Sequence, residues 1–188
     1  MSDFLMSCSC KGRRPKNVAS SVVHSRPHLI ADLLRSRDVA RFLVAPTGFG
    51  KSTVAAEYAQ VVFSFRQTFW VNCESPCFLR DLDAGIIASR VAEIGGAGSL
   101  VVFDDLPRMD ASRVEAFSEV VDELLAAGNE VLVTCAPTCD AYSDLHRDRV
   151  KLSARRFLLT DEEMERTARA TGSPHAKCRA ACVAWGSD

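Results

Sequence analysis

Five short apolar runs alternate with amphipathic segments along this chain, and this alternation limits the possible folds more than any other feature. Between the runs, apolar residues recur every three or four residues, the spacing that places them on one face of a helix. Strands that alternate with helices form a parallel sheet with helices on both faces. The sequence therefore predicts a three-layer α/β fold. The five predicted strands are RFLVA, QTFWVNC, SLVVFDDL, EVLVTC and RVKLS, at residues 41–45, 67–73, 99–106, 130–135 and 149–153.

Residues that favour helix ends mark several of the predicted helices. Pro27 suits the first turn of a helix. A single amphipathic helix is predicted from Leu79 to a stop at Gly95. A later helix is predicted to start at Thr160, because Glu163 follows three residues on and completes a capping box.

The segment FLVAPTGFGKST, residues 42–53, joins the first predicted strand to a helix. Gly48 and Gly50 lack a Cβ and can turn successive N–H groups inward, which forms an anion site at the positive end of the next helix. Lys51 would bring positive charge to the outer phosphates of a nucleotide, and the Ser52 hydroxyl would bind Mg²⁺. The run has the phosphate-loop pattern with Ala in place of its first Gly. The predicted nucleotide-binding residues here are Pro46, Thr47, Gly48, Phe49, Gly50, Lys51, Ser52 and Thr53.

Two adjacent acids, Asp104 and Asp105, follow four apolar residues in the third predicted strand. The carboxyl ends of parallel strands lie at one edge of a sheet, so we expect both acids near the glycine loop. Asp104 is predicted to hold Mg²⁺ through water, and Asp105 to polarise an attacking water as the catalytic residue. The alternative is that the acids only cap the next helix, although Asp110 could do that instead. The expected ligands are ATP and Mg²⁺.

The chain contains five segments in this order: SRPHLIADL, FLVAPTGFGKSTVAAEYA, TFWVNC, LVVFDDL and FLLTDEEM. Together they resemble the STAND-type P-loop ATPases, in the branch of maltose-activator-like LuxR-family transcription regulators. SRPHLIADL is similar to a helix that packs near the adenine in that family, so Arg26 is predicted to contact the nucleotide. TFWVNC, LVVFDDL and FLLTDEEM resemble its second strand, its acidic strand and the start of its helical lid. The extra strand between the two motif strands resembles a large class of P-loop ATPases, and that resemblance implies a five-stranded sheet of order 5-1-4-3-2 and Thr134 as a polar sensor. The STAND resemblance implies an ATP-dependent switch with weak Mg²⁺-dependent ATPase activity in signal transduction and transcription regulation.

Two features depart from this resemblance. The family has an arginine after the fourth strand, where this chain has Cys135 and Ala136, which leaves hydrolysis open. Arg155 or Arg156 could substitute. The family also continues into sensor domains, whereas this chain stops at Asp188. The chain is then either a fragment or a degenerate, stand-alone ATPase core. Because the arginine is missing, a non-hydrolysing nucleotide-binding interaction domain is an alternative function. A small-molecule kinase is another, although the extra strand between the two motifs argues against it.

Charge and hydropathy limit the expected partners. A formal net charge of −1 gives no general reason to expect nucleic acid or anionic membrane as a partner, and no direct DNA contact is expected from this segment. No apolar run is long enough to span a membrane, and the N-terminus does not have the order of a signal peptide, so a cytoplasmic protein is expected. Self-association and a missing C-terminal sensor domain both stay open. The expected organisation is a flexible arm at 1–24, a P-loop core at 25–157 and a truncated start of a helical lid at 158–188.

Eight cysteines fall into four pairs, and three of these pairs have the spacing C-x3-C. A metal or redox site is one interpretation, but the usual zinc spacing is C-x2-C and no His lies at ligand spacing. Reduced thiols that pack as small apolar residues are the favoured interpretation. The pairs are Cys8 and Cys10, Cys73 and Cys77, Cys135 and Cys139, and Cys178 and Cys182.

Overall fold

The structure is a computed structural model that describes residues 25–35, 39–62, 67–95, 98–139 and 149–165. The predicted arm at 1–24 lies outside these residues. So does most of the predicted lid, from residue 166 onward. Where the structure describes the chain, none of the helices is long and apolar enough to cross a membrane.

The described residues form strands that mostly alternate with helices. The exceptions are one pair of consecutive helices and the last two strands, between which the described residues contain only a 3₁₀ turn. Residues 161–165 form the first turn of a further helix, the rudimentary C-terminal segment that was predicted. Two short 3₁₀ turns, Pro137–Cys139 and Ala154–Phe157, follow the last two strands. The elements are α1 (Pro27–Leu33), β1 (Ala40–Val44), α2 (Lys51–Val62), β2 (Thr68–Asn72), α3 (Pro76–Asp83), α4 (Ile87–Gly95), β3 (Leu100–Leu106), α5 (Ala111–Ala126), β4 (Glu130–Cys135) and β5 (Arg149–Ser153).

The five strands form one parallel sheet in the order β2-β3-β4-β1-β5. This confirms the predicted order 5-1-4-3-2. The two strands that carry the predicted motifs, β1 and β3, are therefore separated by β4. All five residues of β1 are buried, as expected for an inner strand covered on both faces.

Each face of the sheet packs against its own set of helices. Successive residues of β3 alternate between the two cores: Phe103 packs on one side and Val102 on the other. The first core contains α3, α4 and α5, and the rings of Phe103 and Phe117 meet edge to face there at 5.0 Å between centroids. The second core contains α1 and α2, whose Tyr58 is fully buried. These two cores hold the sheet and its helices together, and the predicted motifs lie at the carboxyl ends of β1 and β3.

The helix that was predicted to run from Leu79 to Gly95 is in fact two helices, so that prediction is wrong. α3 begins after Ser75, whose hydroxyl accepts a hydrogen bond from the Cys77 N–H at 3.3 Å. It ends before Gly85, which has φ +64° and so cannot continue a right-handed helix. The apolar spacing continues across the break because both helices bury the same face against the sheet.

Candidate functional site

The glycine loop runs from the end of β1 to the start of α2, at the carboxyl edge of the sheet. The N–H of Ala45 donates to the carbonyl of Cys135 at 3.2 Å, which extends the sheet into the loop. Gly48 and Gly50 have φ values of +88° and +80°, a region that other residues rarely adopt. A Cβ at Gly48 would meet nothing within 4 Å, so the backbone angle and not lack of space requires glycine there.

Lys51 is the first residue of α2, and its side chain is buried at 6% exposure. Its Nζ donates to the carbonyl of Pro46 at 3.4 Å, across the loop. The same atom lies 3.8 Å from Asp105 Oδ1. The positive charge therefore lies between the loop backbone and the acidic end of β3.

Asp104 accepts two side-chain hydrogen bonds on one oxygen. Ser52 Oγ donates to Asp104 Oδ1 at 2.9 Å, and Thr134 Oγ1 donates to the same atom at 2.7 Å. Burial raises the pKa of the Asp104 carboxyl above its ordinary value, although the two hydroxyls and Lys51 act in the opposite direction. The structure thus brings together the two predicted metal ligands and the predicted sensor.

A β-bulge lies at the end of β3 and was not predicted. Phe103 pairs with Val133, and the next register pair is Leu106 with Cys135, so two residues of β3 lie opposite Thr134 alone. These two residues are the acids. Asp105 has φ +55°, and its N–H donates to Thr134 Oγ1 at 2.8 Å. The only sequence signal was the Asp-Asp pair itself, because Asp tolerates the left-handed region better than most residues.

Arg26 lies where helix α1 meets the segment after β5. Its Nη2 donates to the carbonyls of Phe157 at 2.9 Å and Leu158 at 3.1 Å, and its Nε lies 3.4 Å from Glu163. Its backbone N–H donates to the carboxylate of Glu57 on α2 at 3.0 Å. The predicted contact between Arg26 and a nucleotide stays a prediction, and these structural contacts were not foreseen.

The predicted capping box is present after β5. The Thr160 N–H donates to Glu163 Oε2 at 2.8 Å, and the Glu163 N–H donates to Thr160 Oγ1 at 3.2 Å.

Arg156, one of the two suggested replacements for the family arginine, pairs with Asp32 on α1. Its guanidinium is therefore engaged on α1 and not at the loop.

The residues at the loop fit Mg²⁺, although no group of three or more His, Cys, Asp or Glu in the described ranges could hold a metal by itself. Mg²⁺ in nucleotide sites takes one or two carboxylates, with water and phosphate oxygens as the other ligands. Ser52 Oγ and Asp104 Oδ1, 2.9 Å apart, supply hard oxygen ligands of this kind.

The first core buries three of the cysteines, as it would small apolar residues: Cys73, Cys135 and Cys139.

No protein-family model matches this chain, and no curated protein is significantly similar to it in sequence. Solved structures do match. The RuvB Holliday junction branch migration motor of Thermotoga maritima matches with a TM-score of 0.51 at 16% identity, over 85% of this chain and 53% of that chain. This chain has the P-loop NTPase fold.

Two further solved structures show lower similarity. PCH-2 of C. elegans matches with a TM-score of 0.43 at 12% identity, over 83% of this chain and 50% of that chain. A DNA replication initiation factor matches with a TM-score of 0.46 at 12% identity, over 82% of this chain and 54% of that chain. The chain spans about half the length of each of these three proteins.

Proposed function

We propose that this chain is an ATP-binding domain that binds the nucleotide with Mg²⁺ and acts as a slow, switch-like ATPase. The hydrogen bond of 2.9 Å between Ser52 and Asp104 carries this proposal. It joins the first turn of α2 to the acidic end of β3, two elements whose contacting residues lie 52 positions apart. An anion site, a buried lysine and a carboxylate at one point suit a triphosphate with a divalent cation.

Each residue of the site has a distinct role in this proposal. The loop N–H groups and Lys51 bind the phosphates, and Ser52 and Asp104 would hold Mg²⁺. The metal, when bound, neutralises the charge of the phosphate oxygens. The Asp105 side chain is 45% exposed, so it can accept a hydrogen bond from water and orient that water toward the phosphates.

The slow rate and the switch role rest on the resemblance to STAND-type regulators. A regulatory domain needs a nucleotide that two conformations bind differently, and not rapid turnover. Transcription regulation follows from the same resemblance and is proposed on that ground alone. The chain has Ala136 where the family has an arginine, which supports low activity. Such a cation stabilises the transition state and raises the rate by several orders of magnitude.

A non-hydrolysing nucleotide-binding domain is the second candidate. It is favoured by one observation: Arg156, a suggested replacement for the family arginine, pairs with Asp32. A small-molecule kinase has less support, because β4 separates the two motif strands. Phosphate release from ATP, measured with and without an acceptor, distinguishes the three functions.

Calorimetric titration with ATP and Mg²⁺ tests the proposal. Lys51→Ala should weaken ATP binding by about 10- to 100-fold, because it removes a charged hydrogen-bond donor to phosphate. Asp105→Asn should bind ATP and lose any phosphate release. Lys151→Ala, the same exchange on the edge strand β5, is the matched control and should bind as the unchanged protein does. Unchanged ATP affinity in Lys51→Ala would contradict the proposal.

A further inference from the structure

The two acids at the end of β3 contact different residues at the start of α2. Asp104 accepts from Ser52 at 2.9 Å, and Asp105 Oδ1 lies 3.8 Å from Lys51 Nζ. In an unbroken strand, neighbouring side chains point to opposite faces of the sheet. The bulge opposite Thr134 removes this restriction, so that both carboxylates reach the start of α2.

The Thr134 side chain holds both halves of the bulge. Its Oγ1 donates to Asp104 Oδ1 at 2.7 Å and accepts from the Asp105 N–H at 2.8 Å. Thr134 is fully buried at 0% exposure, so bulk water does not reach it to take over either bond. A hydroxyl both donates and accepts, whereas an alkyl side chain of the same shape does neither.

The backbone of Asp105 needs this support. Its φ of +55° lies in the left-handed region, which is unfavourable for a residue with a Cβ. Such conformations persist where surrounding contacts hold them, and they are frequent at functional sites. The bond from its N–H to Thr134 supplies a contact of this kind.

We propose that Thr134 is a positioning residue of the site, whose hydroxyl holds the bulge so that Asp104 faces Ser52 and Asp105 faces Lys51. This inference rests on the proposed function and deepens it. It differs from the sensor role implied by the resemblance, because the Thr134 hydroxyl has a single proton and donates it to Asp104, while its oxygen accepts from the Asp105 N–H. Thr134 therefore acts on the nucleotide through the two acids.

Two substitutions at Thr134 test the inference. Thr134→Val keeps the shape and removes both hydrogen bonds, whereas Thr134→Ser keeps the hydroxyl. The readout is the ratio of ATP affinity in Mg²⁺ to ATP affinity in EDTA, because Lys51 and the loop bind phosphate without metal. We expect Thr134→Val to lower this ratio by about tenfold, with metal-free affinity unchanged, and Thr134→Ser to restore it.

Amide hydrogen exchange tests the bulge without nucleotide. The Asp105 N–H should be protected in the unchanged protein and in Thr134→Ser, and it should exchange faster in Thr134→Val. Thr68→Val makes the same change on the edge strand β2 and should alter neither readout. If Thr134→Val does not fold, Thr134→Ala removes the same bonds in a smaller side chain and takes its place.

The outcomes separate the two proposals. If Thr134→Val loses amide protection but keeps the Mg²⁺-dependent affinity, the positioning role is wrong and the proposed function stands. If Thr134→Val loses affinity equally with Mg²⁺ and EDTA, its effect is a general structural one and the inference also fails. If the unchanged protein binds no ATP, the proposed function fails and the inference fails with it.

Discussion

Among the residues that the structure describes, Asp105 is the one residue other than glycine with a positive φ, at +55°. This conformation lets its carboxylate approach Lys51, but it strains the Asp105 backbone. The hydrogen bond from the Asp105 N–H to Thr134, within the bulge, offsets part of this strain. The strain is therefore a property of one residue, and substitutions at that residue can measure it.

At this scale, we expect Asp105→Gly to be more stable than Asp105→Ala by about 1 kcal/mol, because glycine adopts the left-handed region without a Cβ clash. Both variants lose the carboxylate, so the comparison cancels its pairing with Lys51. Urea unfolding of the two variants measures the difference. Equal stabilities would mean that the backbone at this position relaxes without strain.

Gly85 provides a second prediction at the residue scale. It has φ +64°, and a Cβ there would meet nothing within 4 Å. Gly85→Ala should therefore lower the free energy of unfolding by about 1 kcal/mol through backbone conformation alone. Thermal unfolding measures this, with Ala92→Gly at an exposed position inside α4 as a control for a change between the same two residues.

At the scale of elements, helix α1 joins the phosphate-loop helix to the segment after β5. Glu57 on α2 accepts the Arg26 N–H at 3.0 Å, which gives α1 a cap from another helix. The Arg26 guanidinium contacts the carbonyl of Phe157 at 2.9 Å and lies 3.4 Å from Glu163. The start of the C-terminal helix is thus held on the element that also contacts α2.

Glu163 makes this contact dependent on pH. Burial raises the pKa of its carboxyl, but the Thr160 N–H, Arg26 and His28 outweigh burial, and the net pKa lies below the ordinary value of 4.5. The unfolded chain therefore binds this proton more readily than the folded protein. The stabilisation from Glu163 is fully present above about pH 4.5 and is lost as the pH falls through the lower pKa of the folded protein.

We therefore expect Glu163→Gln to reduce the loss of stability on acidification below pH 4.5. Urea unfolding as a function of pH measures the slope. Glu162→Gln, the same exchange at the exposed neighbouring residue, provides the comparison. The same acid slope in Glu163→Gln and in the unchanged protein would contradict the assigned role of this carboxylate.

At the scale of the whole molecule, the two ends of the parallel strands carry different groups. The glycine loop and the two acids lie at the carboxyl ends of the strands. Near the amino ends, Arg41 is buried at 1% exposure and its Nη1 pairs with Glu130 at 3.0 Å. The Tyr58 hydroxyl donates to the same carboxylate at 2.8 Å, and burial raises the pKa of Tyr58. This network lies in the scaffold and away from the predicted nucleotide.

Stability and binding should therefore separate. Glu130→Gln removes the negative charge that lies 3.0 Å from the buried Arg41 guanidinium and should lower the free energy of unfolding by about 3 kcal/mol. ATP affinity should not change in Glu130→Gln, whereas Lys51→Ala should lower it. Denaturant unfolding and calorimetry on both variants test the separation. A loss of ATP affinity in folded Glu130→Gln would show that the two ends of the strands are coupled.

Much of the fold could be predicted from local patterns. Strands such as LVVFDDL are readable because burial on both faces requires an unbroken apolar run. The glycine loop is readable because positive φ values at Gly48 and Gly50 require that residue type. The break at Gly85 was missed because apolar spacing continues across it. The sheet order came from the resemblance, since no local pattern specifies which strands are neighbours.

The sequence by itself determined the strands, the loop and the pair of acids, because each depends on residues close together in the chain. Tertiary structure alone decided the bulge, the two hydrogen bonds of Thr134, and the contacts of Arg26 with Phe157 and Glu163. Those contacts join residues that lie from 29 to 137 positions apart. Their partners are set by how strands and helices pack, and packing is a property of the whole folded chain.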